Sequence, residues 1–232
     1  MLGRTESKAE QPAHGTSATL TGPSHGAASG SAKQLVVLLH GLGADGSDLI
    51  ALAPLLARTL PDAAFVAPDA PFPCDMAPYG RQWFSVQDRS PGPILEGVRR
   101  AETFLAPYVD AQLASLGLGG DRLIIAGFSQ GTMMGLHHGL RRAAEPLCII
   151  GCSGRLLAPE LLAAERRNRA PVLLVHGDAD EVVPPESLKL AADGLEAAGI
   201  PVEAHMLRGL GHGIDERCIA LADAFLRKVV TG

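Results

Sequence analysis

Three residues that could do chemistry together stand far apart in the chain: Ser129 in GFSQGT, Asp180 in HGDADEVVP and His212 in GLGHGI. A serine hydroxyl is a weak nucleophile until an imidazole takes its proton, and the imidazole needs a carboxylate to hold its tautomer and steady its positive charge. The order is Ser, Asp, His, with gaps of 51 (180 − 129) and 32 (212 − 180) residues. Gly127, Ser129 and Gly131 spell G-x-S-x-G between a strand-like run and a helix-like one. Such a strand-turn-helix elbow pushes the serine out over the sheet edge, and the positions two before and two after it must be small to avoid collision. Gly209, Gly211 and Gly213 supply a flexible loop to bring His212 over Ser129. Of the two aspartates in HGDADEVVP, Asp178 adjoins Gly177 at the end of the strand-like run 171–177, where it satisfies neighbouring backbone N–H groups as an Asx turn. Asp180, further out, is then the expected acid, and Asp215 reads as a helix N-cap.

Other groupings compete. In LVVLLHGLGADGSD, Gly41, Gly43 and Gly46 match the G-x-G-x-x-G of a dinucleotide-binding turn, with Asp69 available as a ribose-binding acid. Asp45 and Asp48 would then put carboxylates beside the pyrophosphate at the helix N-terminus meant to attract it. An oxidoreductase built this way leaves Ser129, Asp180 and His212 unexplained. His176, Asp178, Asp180, His205 and His212 could be assembled into a metal site on paper, but they are scattered over loops and strands rather than set at the short spacings of metal ligands. Cys148 and Cys152, the one close cysteine pair, read as packed strand residues rather than half a zinc site. No metal and no cofactor is expected.

The elements that must position these residues alternate. Strand-like runs fall at 35–39, 63–67, 121–128, 147–152, 171–177 and 201–207, and helix patterns near 48–59, 93–116, 130–144, 158–168, 185–199 and 214–230. Pro107 should kink or shorten the second helix. Six alternations with continuous apolar strands imply an α/β fold, a mostly parallel sheet with helices on both faces and right-handed crossovers. Active sites on such sheets lie past the carboxyl ends of the strands, where all three residues fall. A long proline-rich connection from Pro68 to Pro93 marks a functional loop.

A chain of 232 residues, 47% hydrophobic, suits one domain. Residues 1–32 are rich in Gly, Ser, Ala, Thr and His with hardly a large apolar residue except Leu2 and Leu20; residues 1–19 read as a disordered arm, with a short edge strand around Leu20, and residues 20–232 as the domain. The formal charge of −5 and the lack of any basic run argue against nucleic acid as partner. No apolar stretch is long enough to span a membrane, no signal-peptide core is evident, and four cysteines without a C-x-x-C pair suit reduced thiols. The expected location is the cytoplasm, without stable membrane insertion, and a homodimer is left open.

With LVVLLHGLGADG, CDMAPYGRQWFS, GFSQGTMM, HGDADEVVP and GLGHGI in order and spacing, residues 20 to 230 resemble the bacterial phospholipase/carboxylesterase family, relatives of the acyl-protein thioesterases. The resemblance implies an α/β-hydrolase fold without a cap domain, a Ser129-Asp180-His212 triad, and activity on short to medium acyl esters, with thioesters or lysophospholipids as alternative substrates. In such hydrolases the oxyanion hole is formed by the N–H after the nucleophile, here Gln130, and by an N–H from the loop after an early strand, here Leu42. HGLGADG thus reads as an oxyanion loop. About sixteen residues from Arg155 to Ala170 leave room for one helix rather than a lid. Thr132, where many relatives carry glycine, should alter packing more than chemistry. Phe72, Trp83 and Phe84 of the proline-rich loop are candidate acyl contacts. The substrate expected is a small acyl ester or thioester.

Overall fold

The apolar runs fold as strands buried on both faces. The computed structural model describes residues 19–27 and 30–231; the expected arm over residues 1–19 lies, apart from Thr19, outside them. In chain order the elements are β1 (Ser24–His25), β2 (Gln34–Leu39), α1 (Gly46–Ile50), α2 (Ala53–Leu56), β3 (Ala63–Val66), β4 (Phe72–Pro73), β5 (Arg81–Gln82), α3 (Pro91–Leu116), β6 (Leu123–Phe128), α4 (Gln130–Arg141), β7 (Cys148–Cys152), α5 (Pro159–Glu165), β8 (Val172–Gly177), α6 (Glu186–Ala197), β9 (Val202–Leu207) and α7 (Glu216–Thr231).

The main sheet runs β1-β3-β2-β6-β7-β8-β9, parallel throughout except for the edge strand β1. Side chains alternate across a strand, so one strand feeds two cores. Leu35, Val37 and Leu39 of β2 join Leu123 and Ile125 of β6 and the apolar stripe of α3 on one face. Val36 and Leu38 join Ile124, Leu173 and the helix residues Cys218, Ala222, Phe225 and Leu226 on the other. This is an α/β-hydrolase sheet with helices on both faces. Between β7 and β8 stands only the seven-residue α5, so no cap covers the strand ends.

Chain order reverses between β2 and β6: β3 lies to one side of β2, and β7, β8 and β9 follow β6 on the other. The loops after β2 and β6 part there, opening a crevice at the carboxyl ends of the central strands.

Several elements differ from expectation. The helix expected at 48–59 is two short pieces, because Pro54 lacks an N–H and fits only a first helical turn, which it occupies in α2. Pro107 does not shorten α3, which runs through it for 26 residues and stops at Gly117 in the left-handed conformation. The edge strand lies at Ser24–His25, past Leu20, whose side chain is instead buried in the core. The proline-rich connection is partly ordered by the β4-β5 hairpin.

Candidate active site

Ser129 sits between β6 and α4 with φ 54° and ψ −115°, a backbone conformation that L-residues rarely adopt. Its N–H donates to Cys152 O at 2.8 Å, tying the turn to β7. The flanking glycines are required by contact. A Cβ on Gly127 would lie 2.4 Å from the Gly131 backbone, and one on Gly131 would lie 1.9 Å from Leu39 O. The strand and helix therefore meet at van der Waals limits, and α4 behind them is buried from Gln130 through Leu140. Thr132 Oγ1 lies 2.8 Å from both Gly127 O and Cys152 O, and its methyl packs against Gly151 and Gly154. Its part in the site is packing.

His212 reaches Ser129 from the loop after β9. Its Nδ1 lies 2.8 Å from Asp180 Oδ2 and its Nε2 lies 3.0 Å from Ser129 Oγ. A carboxylate only accepts, so Nδ1 carries the hydrogen and Nε2 is left to accept from the serine hydroxyl. The Phe128 ring, 4.8 Å away between centroids, braces the imidazole.

Asp180 is buried and fully engaged. Oδ1 accepts the N–H groups of Val182 and Val183, both at 2.9 Å. Oδ2 accepts from His212 and faces His176 Nε2 at 3.2 Å. Burial pushes the carboxyl up, but the hydrogen bonds from His212, Val183 and Val182 outweigh it and hold Asp180 below the ordinary aspartate value. The Asx turn expected of Asp178 thus belongs to Asp180. Asp178 reaches across instead, its Oδ1 accepting the Gly209 N–H at 2.6 Å. Together with Asp178 N–H to Leu207 O and Ala179 N–H to Leu210 O, this clamps the His212 loop to the acid loop. The loop expected to be flexible is held at three points. Asp215 caps α7 as expected, accepting the N–H groups of Arg217 and Cys218.

Gln130 and Leu42 both line a cavity of about 300 Å³ that opens on Ser129. As the first residue of α4, Gln130 has a backbone N–H with no intrahelical acceptor, and Leu42 lies in the loop after β2. Phe84 lines the same cavity, with Val86, Met133 and Val183. The structure does not bring Phe72 and Trp83 there. Phe72 packs edge-on against Phe104 under the Arg100 guanidinium. Trp83 is fully buried and donates its indole N–H to His40 O at 3.0 Å.

Sequence reading missed two polar struts. The Gln130 side chain accepts the Trp83 N–H and donates to Phe84 O, both at 2.7 Å, fixing the wall that carries Phe84. His40 donates from Nδ1 to Gly41 O and accepts the Ala70 N–H on Nε2, and burial holds its pKa below the ordinary histidine value. Trp83 and Phe84 lie 47 and 46 residues from Gln130 and Ala70 lies 30 from His40, so no local pattern signals these contacts.

The glycine-rich loop is closed to a pyrophosphate. Asp69 accepts the Gly46 N–H at 2.8 Å and Asp45 accepts that of Ser47, so carboxylates already occupy the start of α1. Gly80 packs on Gly43 so closely that a Cβ there would lie 2.0 Å from Gly43 O. The paper metal set is also split, since His205 faces Glu203 on β9 and Asp178 serves the loop clamp.

A model of the phospholipase/carboxylesterase family matches residues 26–230. The chain is 30% identical to the esterase YpfH of Escherichia coli (strain K12) over 205 residues, 86% of this chain and 84% of that protein. It is 29% identical to acyl-protein thioesterase 1 homolog 1 of Dictyostelium discoideum, over 84% of this chain and 90% of that one. Among solved structures, esterase PE8 superposes with a TM-score of 0.87 at 42% identity, covering 91% of this chain and all of that one.

Proposed function

The chain belongs to the phospholipase/carboxylesterase family of serine hydrolases and cleaves carboxylic esters, and on that premise we propose that Ser129, His212 and Asp180 carry the reaction. The observation behind this reading is the continuous hydrogen-bond chain from Asp180 Oδ2 through His212 to Ser129 Oγ, ending at a strained turn. Ser129 Oγ attacks the ester carbonyl while its proton passes to His212 Nε2. Asp180, held ionised by its donors, stabilises the imidazolium. The Leu42 and Gln130 N–H groups receive the charge that develops on the carbonyl oxygen. Collapse breaks the bond to the leaving group, which takes the proton from His212, and leaves an acyl ester on Ser129. Water, deprotonated by His212, then releases the acid and restores the serine.

The cavity of about 300 Å³ lined by Phe84, Met133 and Val183 suits a short to medium acyl chain. A thioester substrate is the second reading, favoured by the relative named as an acyl-protein thioesterase. The same attack serves it, with a thiolate leaving, and matched ester and thioester panels separate the two. Among the described residues no helix is long and apolar enough to cross a membrane. The four free cysteines are all buried and unpaired with one another by disulfide, which supports a reducing compartment such as the cytoplasm.

A fluorophosphonate probe tests the nucleophile. It should label Ser129 without added cofactor, and Ser129→Ala should abolish labelling and turnover together. Normal turnover by the alanine variant would overturn the assignment.

A further inference from the structure

A second cavity, of about 440 Å³, adjoins the one at Ser129. Arg89, Ile94 and Arg155 line both, forming their common wall. The two arginines come from separate segments, Arg89 from the loop before α3 and Arg155 from the turn after β7, and both are exposed. Among the described residues neither guanidinium has a hydrogen-bond or ion-pair partner.

The acid next to Arg89 is engaged locally. Asp88, next to Arg89, accepts the Ser90 N–H and meets the Ser90 hydroxyl. Glu160 stands on the second cavity, while no acid lines the cavity at Ser129. The first turn of α3, with no acidic residue in it, opens on the second cavity and adds the positive end of a 26-residue helix. In a chain of formal charge −5, this is a local cationic wall beside the reacting serine.

We propose that Arg89 and Arg155 are specificity-determining residues that form an anion subsite. The preferred substrates are carboxylic esters or thioesters that carry a carboxylate or phosphate remote from the scissile carbonyl. The inference rests on Ser129 being the nucleophile. An apolar spacer lies along Ile94, Leu156 and Leu157, which flank the arginines. The guanidinium fork matches a carboxylate or phosphate bidentately. Because both arginines are exposed, water and salt screen them, and the gain belongs in kcat/KM ratios rather than in stability.

The test uses two matched ester pairs on the full-length enzyme. In the acyl-side pair, the p-nitrophenyl half-ester of adipic acid is compared with its methyl ester. In the leaving-group pair, the butyrate ester of 4-hydroxybenzoate is compared with that of methyl 4-hydroxybenzoate. The ratio of kcat/KM, anionic over neutral, is measured for the wild type, Arg89→Gln, Arg155→Gln and the double variant. One pair should show a ratio that falls by about fivefold per arginine removed, the upper end for an exposed ion pair. That pair identifies which side of the scissile bond faces the arginines. The same ratio should fall in the unmodified enzyme as salt is raised, which keeps the test independent of how well the variants fold. Ratios unchanged by the substitutions in both pairs, and by salt, overturn the subsite. Ser129→Ala run on the neutral esters tests the underlying reading separately: retained turnover there overturns the nucleophile, whatever the ratios show.

Discussion

The serine and the histidine are delivered by two glycine-rich turns that work in opposite ways. At the elbow, Gly127 and Gly131 are needed because there is no room: each would drive a Cβ into backbone at 2.4 Å and 1.9 Å. At the His212 loop, a Cβ on Gly209 or Gly213 would meet nothing within 4 Å. Position there is held by hydrogen bonds instead, chiefly the Gly209 N–H to Asp178 and the Ala179 N–H to Leu210 O. One turn is fixed by packing and the other by polar clamps. Substitutions should therefore fail differently in the two places.

The largest expected effect is on the polar side. Asp180→Asn keeps the shape but loses the charge and the preferred His212 tautomer, so kcat should fall by about 10⁴-fold. The melting temperature should move far less than kcat. A nearly normal kcat would show that the carboxylate at 2.8 Å from Nδ1 does not orient the base.

Next comes the packed side. Gly131→Ala must separate α4 from Leu39 O, and overpacking of this kind costs about 3 kcal/mol, visible as a large drop in melting temperature together with lost turnover. Wild-type stability in this variant would mean that the elbow yields more readily than its contacts imply.

The helix behind the elbow carries a titration signature. Burial, then the nearby Arg141 charge, lowers the His137 pKa to about 4 from an ordinary 6.5. The unfolded chain therefore binds a proton that the folded protein refuses, so this contribution is complete above pH 6.5 and declines as the pH falls towards about 4. The decline amounts to roughly 3 kcal/mol over that window. Urea unfolding of His137→Leu across the same range should show a shallower dependence than the wild type; parallel curves would show that His137 is not held neutral.

What the sequence made legible follows the same division. That Ser129, Asp180 and His212 would meet could be read from order, strand ends and one motif, because each stands just past the end of a particular strand. The elbow glycines could be read for the same reason. The clamp could not, because Asp178 serves a glycine 31 residues away and nothing in HGDADEVVP distinguishes that from a local turn. Trp83 and Phe84 are adjacent aromatics in one loop, yet only Phe84 lines the cavity while Trp83 braces His40 from within the core. Neighbouring residues on an irregular segment point to different places, and no periodicity reports which. Pro54 split a helix and Pro107 did not, since the first sits in a first turn and the second inside a helix packed along the sheet.

A smaller effect separates the two aspartates. Asp178→Asn keeps one oxygen for the Gly209 N–H but weakens a charge-assisted bond, which should cost about 1 kcal/mol. The His212 loop would loosen slightly, and kcat should fall only modestly beside the collapse expected for Asp180→Asn. A well-folded Asp178→Asn enzyme with collapsed kcat would reverse the roles of the two carboxylates.

The smallest effects lie within the His212 loop itself, where glycine can be asked for conformation and for space separately. Gly209 has φ 72°, in the left-handed region, so Gly209→Ala should cost about 1 kcal/mol from backbone strain alone although the added methyl meets nothing. Gly213 is not among the glycines with positive φ and also faces open space, so Gly213→Ala should stay within about 0.5 kcal/mol of wild type. Melting both variants beside Gly131→Ala orders the three glycines by cause: steric exclusion, backbone conformation, neither. If Gly213→Ala proved as damaging as Gly131→Ala, the His212 loop would have to be packed as tightly as the elbow, and the contrast between the two turns would fail.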